Sequence, residues 1–317
     1  MPNRLAFVLI ASVLSSVAAL AQPASKPAAP SASSMTVAPV TVTAPSKPKL
    51  IEKQTYTFVK GYAAAPNPDV DQIGRWHDPV CVKVVGLPQA NQAAVIKARI
   101  ESVTRAVRLP AARAGCRANV EIVFTDQPQG IMDIVAQRDE ILLGYYHLHL
   151  RDRLKQVTHP IQSWYVTATE GDAFGLGAGA GMPLEVVDDN NSQSAWGCAG
   201  SRIDTECLES KLKNVFIVAD SKALEGKDVG LVADYMVMLA LSQPRSLDAC
   251  NPLPSVIELF AKSACPGRDA PDGLTPADAA YLTALYATDL SQRKPVERAD
   301  IAHRMAKILI KANFGGG

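Results

Sequence analysis

Between residues 78 and 125 the apolar residues change period twice, which restricts the chain to folds that pack helices on a sheet. "DPVCVKVVGLP" is rich in β-branched residues and ends in turn formers, the pattern of a strand. "PQANQAAVIKARIESVTRAV" then places Ala94, Val95, Ala98, Ile100, Val103 and Val107 at helical spacing, with Pro88 near the start. "ANVEIVFT" returns to a strand. Further on, "IQSWYVTAT" alternates as a third strand, and "KNVFIVAD" is a fourth, apolar enough to be central. Helices are expected at "DVGLVADYMVMLALS", "PSVIELFAK", "TPADAAYLTALYATDL" and "VERADIAHRMAKILIKANF". The expected class is α+β: a mixed sheet with packed helices and a helix-rich C-terminal half.

The first 21 residues read as a secretory signal. Arg4 precedes the apolar run Leu5–Leu14, and the small-residue ending Ala19-Leu20-Ala21 follows. Residues 22–69 begin with a stretch dominated by Ala, Pro, Ser and Thr. Such a stretch buries too little apolar surface to offset its ordering entropy, so the segment is expected to be a disordered tether. Residues 70–314 are then one globular domain. Lys and Arg number 32 and Asp and Glu 31, and loss of Arg4 with the leader leaves them balanced. A balanced chain has no net electrostatic drive toward nucleic acid, and no membrane span is expected after signal cleavage.

All six cysteines follow the leader. An even number in an exported chain is expected to form disulfides. Proximity along the chain favours Cys81–Cys116, Cys198–Cys207 and Cys250–Cys265. The competing use, a zinc site, has no CxxC pair to support it.

"YYHLHLRDRLKQVTHP" concentrates His147, His149 and His159, three of the five histidines. Ile131, Ile134, Val135, Ile141, Leu142 and Tyr145 recur near helical spacing, and the pattern runs on toward Leu154. On one helix His147 and His149 lie about 200° apart and face opposite sides. A helical metal pair needs a spacing of three or four, so the expected reading is solvated helix histidines, with no metal and no cofactor. His159 precedes Pro160 and belongs to an extended or turn position. "GLGAGAG", 175–181, is followed by Pro183 and a polar cluster instead of a helix, which is wrong for a phosphate loop. Asp188-Asp189 reads as a solvated turn. The chain has no GxSxG elbow and no HExxH.

The stretch 214–289 carries a resemblance. A strand, a short connection, the helix "VADYMVMLAL", then "LPSVIELFA" and "LTPADAAYLTALYATD" follow in the order of the active-site half of metzincin-type zinc metalloproteases. Leu274, Asp278, Leu285 and Tyr286 match the rhythm of that family's last helix, with Thr275 expected as its N-cap and Pro276 at its first position. The resemblance places Ala233, Val237 and Gln243 where the three zinc histidines belong. It puts Asp234 at the general base, Ala240 at the helix-breaking Gly and Ile257 at the turn Met. Ala and Val have no lone pair to give a metal, so what the resemblance implies is a degenerate zincin-like fold, a pseudoenzyme. The rest of the chain resembles exported proteins of Gram-negative bacteria, a likeness that brings no activity with it.

The expected function is that of an exported, non-catalytic envelope protein that binds a peptide or protein partner, in the periplasm or outside the cell. Trp164, Tyr165 and Phe174, on the strand and glycine loop from Ile161 to Gly181, are the candidate anchors for that partner. Two alternatives stay open: a metal-dependent hydrolase using His147, His149 or His159 with Asp188 or Asp189, and a purely structural envelope component.

Overall fold

The computed structural model describes residues 48–64, 72–144, 151–171, 208–288 and 294–314. The four expected strands form one sheet: β1 (Val82–Val85), β2 (Val120–Thr125), β3 (Ile161–Gly171) and β4 (Leu208–Asp220). Their order is β1-β2-β4-β3. β1, β2 and β4 run parallel, and β3 lies antiparallel to β4 at one side, with a bulge between Val166 and Thr167. The fold is α+β with a mixed sheet.

Strand alternation divides the core in two. On β4, Val215, Ile217 and Ala219 face the larger cluster, which they share with Val120 and Ile122 of β2. Phe216 and Val218 turn the other way and pack with Trp164, Met132, Val135 and Leu143. A central strand covered on both faces must be apolar throughout, and "NVFIVA" is. The larger cluster is closed by α2 (Ala90–Ala106), which buries Ile96 and Ile100, and by α5 (Val229–Leu241). The smaller is closed by α3 (Pro128–Arg138).

α5 is buried on every side from Tyr235 to Leu241, which a helix apolar all round requires. Beyond it, "VIELF" forms a 3-10 turn, Val256–Phe260, in place of the expected α-helix. Ser255 caps that turn, and Asp278 holds it from α6 (Pro276–Ala287). α6 starts as expected, with Thr275 and Asp278 closing a capping box and Pro276 in the first turn. The last helix, α7, spans Lys294–Phe314.

The tether expected over residues 22–69 is too long. Pro48–Tyr62 forms a helix, α1, that buries Ile51, Thr55, Phe58, Val59 and Tyr62. Those five residues recur at helical spacing beneath a lysine-rich exposed face, so average composition hid one apolar stripe. Tyr62 meets the Tyr281 ring of α6 edge-on at 4.9 Å. The described residues from 48 to 314 belong to one compact unit, so the folded part starts well before residue 70.

The single helix expected from Ile131 toward Leu154 is broken. α3 ends at Arg138 and a 3-10 turn covers Glu140–Leu143. Gly144 follows at φ 84°, where a Cβ would sit 2.2 Å from the Tyr165 carbonyl oxygen. Only glycine fits a left-handed position pressed that closely against another strand. A short helix, α4 (Arg151–Leu154), precedes β3.

Candidate functional site

The C-terminal end of α5 is where the resemblance placed catalytic chemistry, and the structure fills it with side chains that finish the helix. A helix leaves its last four carbonyls without intrahelical partners. Here the last carbonyls are those of Met238, Leu239, Ala240 and Leu241, all fully buried residues; Met238 accepts the Ser242 N–H at 3.1 Å, and the three after it depend on side chains. Ser242 donates its hydroxyl to the Met238 oxygen at 2.6 Å. Tyr165 donates to Leu239 at 3.0 Å, Trp76 Nε1 to Ala240 at 2.7 Å, and Tyr286 to Leu241 at 2.6 Å. Because the Ser242 hydroxyl proton is spent on Met238, its oxygen accepts from the Tyr62 hydroxyl, 3.0 Å away. Burial pushes the phenols of Tyr62, Tyr165 and Tyr286 well above the usual tyrosine range, so each keeps the proton it donates.

The positions aligned with zinc ligands do not fit a metal. Ala233 and Val237 are fully buried in the apolar core. Gln243 keeps its side-chain oxygen buried with no hydrogen-bond partner among the described residues. Asp234, at the general-base position, receives Arg99 Nε on one carboxylate oxygen at 2.5 Å and the Leu274 N–H on the other at 2.9 Å. It is a strut between α2, α5 and the start of α6, with both oxygens engaged. Ile257, at the turn Met, is buried in the 3-10 turn.

Asp278 is the second strut. It is fully buried and accepts from Ser255 Oγ at 2.6 Å, Val256 N at 2.8 Å and Thr275 N at 3.1 Å. Burial raises its pKa above the usual carboxylate range, and these bonds pull it back. Asp278 therefore ties the start of the 3-10 turn to the first turn of α6.

His159 sits in the bend before β3 with its side chain 8% exposed. Its Nε2 lies 2.9 Å from Asp248 Oδ1, and its Nδ1 lies 2.9 Å from Thr158 Oγ1. Asp248 also accepts from the Lys262 N–H at 2.8 Å. That bond and the imidazole hold its carboxyl below the usual range. The histidine thus clasps the start of β3 to the loop after α5. His147, His149, Asp188 and Asp189 lie outside the described residues. Among the described residues no three His, Cys, Asp or Glu side chains gather where a metal ion could be held.

The expected partner anchors are corrected. Trp164 is 4% exposed, packs on Phe216 and donates Nε1 to the Leu154 carbonyl at 2.7 Å. Tyr165 is the α5 cap. Both are core because β3 is half-buried on each face, which alternation alone does not reveal. Phe174 and the loop 175–181 lie outside the described residues. The Cys81–Cys116 and Cys250–Cys265 disulfides are present, while Cys198 and Cys207 lie outside the described residues. The two disulfides are compatible with an exported protein, and no helix among the described residues is long and apolar enough to cross a membrane.

Sequence reasoning missed Trp76, Ser242 and Arg99. Each makes its contact across more than 100 residues of chain, and no local period announces such a partner.

Among the described residues, two of the surface concavities bear on the site. One, of about 440 Å³, lies beyond the ends of β1, β2 and β4, with Ile96, Phe124, Leu224 and Val232 among the residues that line it. The other, of about 610 Å³, lies beside β1 and the Cys81–Cys116 disulfide, with Lys83, Lys97, Arg113 and Arg117 among its lining. No family model, curated protein or solved structure matches the chain.

Proposed function

We propose that the chain is an exported, non-catalytic envelope protein that binds a peptide or protein partner, built on a metalloprotease-like frame that has lost its zinc centre. The reading rests on one observation above the others: Asp234 and Asp278 are structural carboxylates. Asp234 is saturated by Arg99 and the Leu274 N–H, and Asp278 ties the 3-10 turn to α6. The order strand, helix, turn and capped helix over 214–287 agrees with the metzincin resemblance, while Ala233 and Val237 supply no ligand. A pseudoenzyme of this kind keeps a protein-binding frame after its chemistry is gone. The two disulfides support an oxidising compartment, and the leader read over residues 1–21 supports export, to the periplasm or outside the cell.

Two measurements test this. Untagged protein from periplasmic extract, prepared without chelators, is expected to begin at Gln22 and to carry no stoichiometric metal by elemental mass spectrometry. Zinc near one per chain, lost in a His147→Ala/His149→Ala variant, would replace this reading with a hydrolase. Photo-crosslinking in intact cells is expected to trap discrete protein partners, and a failure to trap any would overturn the partner-binding reading.

A further inference from the structure

Among the described residues, a concentration of unassigned positive charge lies at the opposite side of the sheet from β3. From Ser102 to Val120 the chain carries Arg105, Arg108, Arg113 and Arg117 and no acidic residue. All four arginines are exposed. The disulfide from Cys116 to Cys81 staples this loop to the start of β1. The concavity there brings Lys83, Lys97, Arg113 and Arg117 together with Glu101 and Glu121. Lys83, Arg113 and Arg117 make no side-chain hydrogen bond or ion pair among the described residues, and Lys97 has only a distant one, 3.8 Å from the exposed Glu101. Glu101 and Glu121 offset part of this charge and leave the group net positive.

A second, independent feature lies alongside. β1 ends the sheet, and among the described residues it pairs only with β2. The Cys81 carbonyl accepts from Asn119 N and Val120 N, so Cys81 and, two residues on, Lys83 turn their main chain toward β2. Alternation along a parallel strand then turns the N–H and C=O of Val82 and Val84 outward, to the open edge. An open edge is a template for an added strand. Lysine on a short edge strand commonly protects it from pairing, and Lys83 does discourage a basic or neutral newcomer. For an acidic strand the same lysine is an attraction.

We propose that the open edge of β1, flanked by the basic loop 105–117, docks an extended acidic segment of a partner protein. The inference rests on the partner-binding reading above and gives it a place and a chemistry. The main chain of Val84, part-exposed, leads the pairing with the incoming strand, and Val82, only 5% exposed, extends it at the covered end. Arg113 and Arg117 take carboxylates, for which the guanidinium fork is suited. Glu101 and Glu121 stand among the cations and disfavour a dense polyphosphate or an anionic lipid surface. A peptide, with charges spaced by uncharged residues, fits between them. Neither a lipid headgroup nor a polyphosphate offers main-chain groups at strand spacing.

The test uses full-length mature protein and fluorescein-labelled peptides read by anisotropy: an alternating Glu/Val peptide, its Lys/Val and Thr/Val counterparts, and a Glu/Val peptide N-methylated at alternate residues. Vesicles of phosphatidylglycerol serve as a fifth probe. Only the unmethylated Glu/Val peptide is expected to bind. The Arg113→Glu/Arg117→Glu variant, with an unchanged melting temperature, should weaken it by about tenfold or more, as should raising the salt toward 1 M. Equal binding of the N-methylated peptide, or binding to the vesicles, would overturn strand addition in favour of a simple charged surface. Binding of the Thr/Val or Lys/Val peptide that survives charge reversal would overturn this site and leave the peptide-binding reading standing. No binding by any peptide, with no partner trapped in cells, would bring down both.

Discussion

α2 and α5 pack side by side on the same face of the sheet, yet their exposed and buried ends are finished in different ways. α2 starts at Gln89, which has the extended backbone of an N-cap but makes no side-chain cap bond, and its first turn is open to solvent. α5 finishes inside the protein, where four consecutive carbonyls are each met by a side chain, from Ser242, Tyr165, Trp76 and Tyr286. Water can satisfy the first end, so sequence is free there. No water reaches the second, so the chain must bring donors from β3, α6 and the segment before β1. The part of the molecule that looks most like an enzyme is therefore the part most occupied with its own stability. The uncommitted surface lies at the β1 edge.

The largest way to break this contrast is Trp76→Ala. It removes a nearly fully buried indole and orphans the Ala240 carbonyl, and a loss of about 4 kcal/mol is expected in urea unfolding. A loss below about 1 kcal/mol would mean that water enters the end of α5 and that the contrast is false. Asp278→Ala comes next. It leaves the Ser255 hydroxyl and two backbone N–H groups unsatisfied, at a cost of about 3 kcal/mol. Tyr286→Phe deletes a single hydroxyl and keeps the ring, so about 1–2 kcal/mol is expected. At the open end the sign reverses. Gln89→Asp adds the missing cap and a favourable charge at the helix start, and should stabilise by about 0.5–1 kcal/mol, read as a rise in melting temperature.

The sequence made the elements visible and left the connections between them hidden. β4 was readable as central because "NVFIVA" is apolar on both alternating sets. Thr275, Pro276 and Asp278 announced a helix start four residues long, which is the range over which capping acts. α1 was lost to composition: Ala and Pro in residues 22–47 set the average for a segment whose second half carries an amphipathic stripe. Trp164 and Tyr165 read as an exposed aromatic pair because their partners, the Leu154 and Leu239 carbonyls, are main-chain atoms without a sequence signature. The basic loop was printed in the sequence throughout, but net charge near zero concealed it, since balance over the whole chain says nothing about one edge. Its position beside the outer edge of the sheet is a property of the strand order alone.

The smallest effect sharpens the contrast through two aspartates with opposite shifts. Asp248 is partly exposed and held below the usual carboxylate range by the Lys262 N–H and by His159. Its contribution is present above the ordinary carboxylate pKa and fades as pH falls through the lowered one. Screening by solvent keeps it to a few tenths of a kcal/mol. Asp278 is buried, and its raised pKa works in the other direction: its titration favours the fold in acid and loses that advantage as pH rises through the shifted value. Melting temperatures of wild type, Asp248→Asn and Asp278→Asn between about pH 3 and 7 separate the two. The gap between wild type and Asp248→Asn should narrow on acidification. For Asp278→Asn, acidification should shift the gap in favour of wild type. Parallel trends in both variants would mean that burial does not set the behaviour of these carboxylates, and that the α5–α6 frame is more open to water than the carbonyl caps imply.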